Sequence, residues 1–315
     1  MKQYRWIIFF STLFLASCCS QETKSPFTFV STDQGVELLE NAKPVFFYQK
    51  MQKSLDGKYI CNNYLHPLYS LNGDTLTEEF PSDHHYHRGI FWAWHQVYID
   101  NKSVGDGWIM ENIEQEVVNI KTITYNHSVQ LQADILWKSQ LFEKRKPFLS
   151  ERTTITVHPL QNAIRKIDFS IALKALVPDV QIGGSDDEKG YGGLCARLKL
   201  PEDFTFTAAN GIVIPQNLQI KAGSWMDFSA SFSRNGETSG VSILCHPETP
   251  NYPAPWILRS ETSMQNIVFP GRKRILVPTD EPLVLYYRMI IHDGNANKID
   301  LIKLQSEFEE TKVGK

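Results

Sequence analysis

The sequence predicts an all-β protein, a large antiparallel two-sheet sandwich that ends in one short C-terminal helix. Three observations predict it: apolar and polar residues alternate with period two in many segments, turn residues separate those segments, and helical spacing appears only near the end. In chain order, Leu71-Asn72-Gly73-Asp74 reads as the first clear turn. Val129, Leu131, Ala133, Ile135 and Trp137 then alternate with Gln130, Gln132 and Asp134, and Ile167, Phe169, Ile171 and Leu173 alternate with Lys166, Asp168 and Ser170. Side chains point to opposite faces along a strand, so each of these segments buries one face and wets the other. Asn210-Gly211 and Arg234-Asn235-Gly236 mark further turns, and Leu283, Leu285, Tyr287, Met289 and Ile291 repeat the alternation. After the Asn-rich stretch at 295–297, Leu301, Leu304 and Phe308 fall three and four apart, the spacing of a helix laid on a sheet.

The start of the chain reads differently. Lys2 and Arg5 precede an apolar run from Trp6 to Ala16 that is too short to span a bilayer, so residues 1–17 read as a secretory signal. Its end, Leu15-Ala16-Ser17-Cys18, resembles the lipobox of bacterial lipoproteins, which implies acylation of Cys18. Several acyl chains on one residue suffice for stable anchoring. Cys19 follows in place of an inner-membrane retention Asp, which favours the outer membrane, and residues 18–26 read as a polar tether. Residues 27–315 carry no internal repeat, low-complexity block or Pro/Gly-rich linker, which fits a single sandwich domain. With 32 basic and 35 acidic residues, a net charge of -3 and no basic tract, nucleic acid is excluded as a partner. No second apolar stretch reaches transmembrane length, so membrane contact is expected through the lipid anchor only. Cys61, Cys195 and Cys245 are too widely spaced for a disulfide framework, although one pair remains open.

One stretch concentrates chemistry. "FPSDHHYHRGIFWAWH", residues 80–95, holds four of the nine histidines and two of the seven tryptophans. If residues 83–87 are extended, Asp83, His85 and His87 share one face, while His84, Tyr86 and Arg88 share the other. Side chains about 7 Å apart on one face can converge on a divalent metal, with His66 or His95 as a third ligand. The same residues also suit general acid and base catalysis, with an imidazole moving a proton while Arg88 holds an oxygen. A third reading makes them hydrogen-bonding scaffold in a rigid loop. Farther along, Trp92 and Trp94 share a face with Ile90 and read as core rather than as a sugar platform.

Together, "YLHPLYSLNGDTLTEEFPSDHHYHRGIFWAW" (64–94), "GYGGLCARL" (190–198) and "VFPGRKR" (268–274) resemble the PmoA-like family of unknown function, over nearly the whole mature chain. Its members are often labelled methane oxygenase, but membrane-bound methane oxygenase subunits are bundles of transmembrane helices, a pattern this sequence lacks. The resemblance implies a secreted protein of a carbohydrate-degrading bacterium. The length and strand content also suit the galactose mutarotase-like sandwiches, whose enzymes use a His acid and a carboxylate base.

The expected function is a carbohydrate-active enzyme that cleaves or isomerises a sugar or an oxidised sugar. In that scheme His85 or His87 transfers a proton, Arg88 and Arg197 bind oxygens, and Asp83, Glu111 or Asp187 orients the His or acts as base. Trp108 after Gly105-Asp106-Gly107, and Trp256 inside Pro253-Ala254-Pro255-Trp256, are expected at an exposed surface that stacks on a pyranose. His66, His84 and Arg259 would add polar contacts, with Glu261 as a partner for Arg259. The loop from Gly183 to Gly193 carries Asp186, Asp187 and Glu188 and has the composition of a lid. His292-Asp293 closes the last strand, where a titrating His at a sheet end would fit. The alternative function is a non-catalytic surface glycan-binding lipoprotein, for which Trp108, Trp256 and Arg259 would suffice. No GxSxG elbow, HExxH pair or dinucleotide-binding glycine motif is present.

Overall fold

The computed structural model describes residue 1 and residues 25–313, apart from 234 and 263. The expected signal after Met1, Cys18 and all but the end of the tether lie outside the described residues.

Among the described residues, two large antiparallel sheets pack through a shared core. The eight-stranded sheet runs from the N-terminal strands Phe27–Ser31, Gly35–Glu40 and Lys43–Gln49, through Tyr64–Leu68 and Ile90–Trp94, to Gly192–Ala196, Gln265–Ile267 and Trp256–Ile257. The nine-stranded sheet begins with the meander Ile113–Tyr125, Ser128–Ser139, Leu149–Val157 and Ile164–Ala175, followed by Leu283–Asp293, Ser239–Cys245 and Trp225–Ala230. A smaller sheet brings Gln96–Ile99 and Lys102–Gly105 beside Val180–Gly183.

Alternation decides which faces meet. Strands Ser128–Ser139 and Ile164–Ala175 bury every second residue without a break, as the period-two reading requires. Ile90, Trp92 and Trp94 enter the same inter-sheet core, where Trp92 meets Phe169 with ring centres 6.4 Å apart and Trp94 meets Trp137 at 6.0 Å. Between the sheets lies one carboxylate, Glu151, which accepts hydrogen bonds from the indoles of Trp92 (2.6 Å) and Trp137 (2.8 Å), from Asn63 and from Thr153. Burial pushes its pKa up, and those four donors pull against it.

Leu283–Asp293 is buried on both faces because the helix Leu301–Glu309 covers its outer side. Leu301, Leu304 and Phe308 form the buried stripe, and Asp300 caps the helix by accepting from the Lys303 N–H at 2.9 Å. The three body cysteines are free and buried. No helix among the described residues is long and apolar enough to cross a membrane.

Candidate functional site

The histidine stretch is not a strand. Backbone bonds from His84 N–H to the Pro81 carbonyl, from His87 N–H to the His84 carbonyl and from Phe80 N–H to the His87 carbonyl fold it into consecutive turns. The expected sorting of Asp83, His85 and His87 onto one face therefore fails. His85 packs on Tyr59 with ring centres 5.3 Å apart, Asp83 turns to Arg197, and His84 stacks on His87 at 4.7 Å and 11° from parallel. The three proposed metal ligands do not converge, and no group of three or more metal-ligating side chains assembles among the described residues. At the end of the turns Gly89 has φ +46°, and a Cβ there would stand 1.9 Å from the Leu65 carbonyl oxygen. Only glycine lets the loop enter strand Ile90–Trp94 at this point.

Arg197, at the end of strand Gly192–Ala196, holds the loop. Its guanidinium donates to Glu78 at 2.8 Å, grips both oxygens of Asp83 at 2.7 and 2.9 Å, and lies 3.2 Å from His87 Nδ1. Burial raises the Asp83 pKa, but the bonds from Arg197 and His84 outweigh it and hold the carboxyl well below its ordinary range. His87 is lowered to about 2, first by burial and then by Arg197, so its ring stays neutral. Because guanidinium can only donate, Nδ1 accepts and Nε2 carries the proton. Arg88 is also occupied: it is 1% exposed, donates to the carbonyls of Tyr86 and Trp108, and lies over Phe91 at 4.5 Å. Both arginines are thus framework, which corrects the expectation that they bind substrate oxygens.

A cleft of about 340 Å³ opens beside these turns. His84, Tyr86 and His87 line one wall, and His95 and Trp108 line the next. The rings of His95 and Trp108 stack at 5.0 Å, 12° from parallel. His95 Nδ1 is 2.7 Å from Asp106 Oδ2, while Asp106 Oδ1 accepts from the Trp108 and Ile109 N–H groups. A carboxylate can only accept at these distances, so Nδ1 donates and Nε2 of His95 is left as an acceptor. Lys189, Tyr191 and Arg259 also line it, the Tyr191 ring packing on Trp108 at 5.4 Å and the Arg259 guanidinium lying 5.5 Å from the Tyr191 ring centre. Burial raises the Tyr191 pKa against the pull of Arg259, which keeps the phenol protonated.

The remaining expected residues lie elsewhere or act otherwise. Trp108 reaches the cleft but is 2% exposed, and Trp256 is 1% exposed with its indole donating to the Gly223 carbonyl. Neither is an open stacking face, because Phe91, His95 and Tyr191 pack on Trp108 and Phe228 packs on Trp256. His66 binds Thr77 at 2.9 Å, and burial lowers its pKa to about 4. Glu111 is exposed and pairs through its backbone with Asp106. Asp187 caps its own loop, accepting from Ser185 and from the N–H groups of Lys189 and Gly190. The glycines of that loop serve close packing rather than lid motion: a Cβ on Gly184 would stand 2.1 Å from the Gly190 carbonyl oxygen. Asp106, Lys189 and Tyr191 carry no site signal in the sequence, the first lying between two turn glycines and the others inside the Gly-rich loop. Larger grooves of about 600 and 420 Å³ flank the helix, but the first has its Lys166 paired with Glu307 and neither gathers the clustered histidines.

A family model described as a family of unknown function (DUF6807) matches residues 35–304, most of the chain, and the chain belongs to that family. No curated protein matches it.

Proposed function

We propose that this member of the DUF6807 family is a carbohydrate-active enzyme that cleaves or isomerises a sugar by proton transfer in the His84–His95 cleft. The observation that carries the reading is the pairing, in one small cleft, of an imidazole acceptor with an imidazole donor. His95, oriented by Asp106, offers Nε2 as a base, and His87, kept neutral beside Arg197, offers Nε2–H to the oxygen on which negative charge develops. In an isomerisation His95 takes the proton from the carbon beside the sugar carbonyl and returns it to the neighbouring carbon of the enediol; in a cleavage by β-elimination it takes the same proton, the C–O bond at the next carbon breaks as the C=C bond forms, and the proton goes to the departing oxygen. The proton-transfer role moves from His85 and His87 to His95, and the orienting carboxylate becomes Asp106. A purely glycan-binding module is less well supported, because Trp108 and Trp256 do not form an exposed aromatic platform.

The test is turnover. Mature protein incubated with a panel of monosaccharides, disaccharides and aryl glycosides is followed by NMR, and His95→Ala is expected to lower the rate by roughly 10²- to 10⁴-fold, the range of a lost general base. Saccharide binding without turnover in the wild type, unaltered in His95→Ala, would select the binding module instead.

The lipobox resemblance supports a lipid-anchored protein of the cell envelope, at the outer membrane by the residue after Cys18. Cys18→Ala is expected to abolish acylation and release the protein from washed membranes. Retention of that variant at the wild-type level would refute the anchor.

A further inference from the structure

We infer that the cleft takes an acidic sugar, a hexuronate or aldonate, with its carboxylate held between Lys189 and Arg259. This rests on the proposed carbohydrate reading and names the substrate class within it.

The cleft is unbalanced in charge. Lys189 and Arg259 line it, and no aspartate or glutamate does among the described residues. The nearest acids are already engaged: Asp106 with His95, Asp83 with Arg197 and His84, and Asp187 with its own loop. Neither cation forms an ion pair among the described residues, although Glu261 is only two positions from Arg259 and Asp187 only two from Lys189. Two other arginines, Arg165 and Arg288, are buried and paired with carboxylates, Glu40 and Asp168.

Arg259 is nevertheless held in place. It donates to the backbone carbonyls of Gln216 (2.7 Å), Leu258 (3.0 Å) and Asn217 (3.0 Å), and Gln265 bonds both its backbone N–H and its carbonyl. Carbonyls orient a guanidinium without cancelling its charge. Lys189 is fixed at its backbone, where its N–H meets Asp187 and its carbonyl accepts from Gln219 at 2.8 Å. Two cations without a salt-bridge partner, the guanidinium held by carbonyls and the ammonium on a fixed backbone, can receive an anion, to which Arg259 offers the N–H groups its three carbonyl bonds leave over. The volume of about 340 Å³ lies at the small end of ligand sites, which suits one ring. The neutral donors of His87 and Tyr191 and the acceptor of His95 remain for hydroxyl groups.

Calorimetric titration at pH 7 compares glucuronate and galacturonate with glucose and galactose, and with lactate as a carboxylate that is not a sugar. The uronates are expected to bind at least tenfold more tightly than their neutral parents. Lys189→Gln, which breaks no side-chain hydrogen bond of the fold, is expected to remove most of that margin while the melting temperature holds; Arg259→Gln is expected to remove the margin too, with a lower melting temperature because its three carbonyl bonds are lost. Equal binding of glucose and glucuronate, indifferent to Lys189→Gln, would overturn the acidic-sugar assignment and leave the carbohydrate reading standing. Lactate binding as tightly as glucuronate, or no saccharide binding at all, would overturn both.

Discussion

Two histidine–aspartate pairs in this protein have the same length and opposite surroundings. His95 and Asp106 meet at 2.7 Å beside the cleft, each side chain 23% exposed. His292 and Asp227 meet at 2.7 Å inside the nine-stranded sheet, each 0% exposed. The sealed pair is saturated, since Asp227 also accepts from Ser242 at 2.7 Å and from Ser229 at 2.5 Å. The open pair spends one imidazole nitrogen on Asp106 and leaves the other for a ligand. Geometry between the partners therefore does not distinguish a reactive dyad from a structural one; access to the second nitrogen does.

Removing each histidine should separate the two most sharply. His292→Ala leaves a buried acceptor of Asp227 without its imidazole partner, a loss of about 1–3 kcal/mol, which for a chain of this size lowers the melting temperature by roughly 2–10 °C. His95→Ala should cost stability little, because Asp106 is solvated and still accepts two backbone N–H groups. Scanning calorimetry of both variants checks this. Equal losses would erase the contrast and return His95 to the scaffold.

Acid offers a smaller, graded test of how the cleft histidine His87 and the buried His66 differ from ordinary ones. Their folded pKa values, about 2 and about 4, lie below the unfolded value near 6.5, so the fold binds fewer protons than the unfolded chain in between. Their stabilisation is complete above about pH 6.5 and is lost as the pH falls toward the folded values, with a slope of up to roughly 1.4 kcal/mol per pH unit for each. Asp83, whose folded pKa is depressed, adds its own loss only below the ordinary carboxylate range, near pH 4. Urea midpoints measured between pH 7 and 5 should fall, and His66→Asn should flatten the fall. A midpoint constant across that window would contradict the neutral, buried state of His87.

Much of this architecture was legible in the residue pattern, and the exceptions share one cause. Ser128–Ser139 and Ile164–Ala175 follow their alternation because each strand's burial is decided by its own period, whereas Leu283–Asp293 departs from it, its outer face covered by the C-terminal helix. The buried stripe Leu301, Leu304 and Phe308, and the core placement of Trp92 and Trp94, are local in the same sense. Residues 83–88 read as extended only while Arg197 is ignored, and Arg197 lies more than a hundred positions away in sequence. Asp227 is hidden from His292 in the same manner, whereas the adjacent Asp293 offers only its carbonyl, at 3.4 Å. Local periodicity carries strands; side chains that close loops across the fold leave no periodic trace.

Arg88 bears on how the cleft can move. By clasping the carbonyls of Tyr86 and Trp108 with one nitrogen, it fastens the histidine turns to the segment that follows Asp106. Parting those two walls would strand a buried guanidinium charge away from its acceptors, a high barrier to a hinge. Ligand entry therefore selects a preformed shape on that side of the cleft.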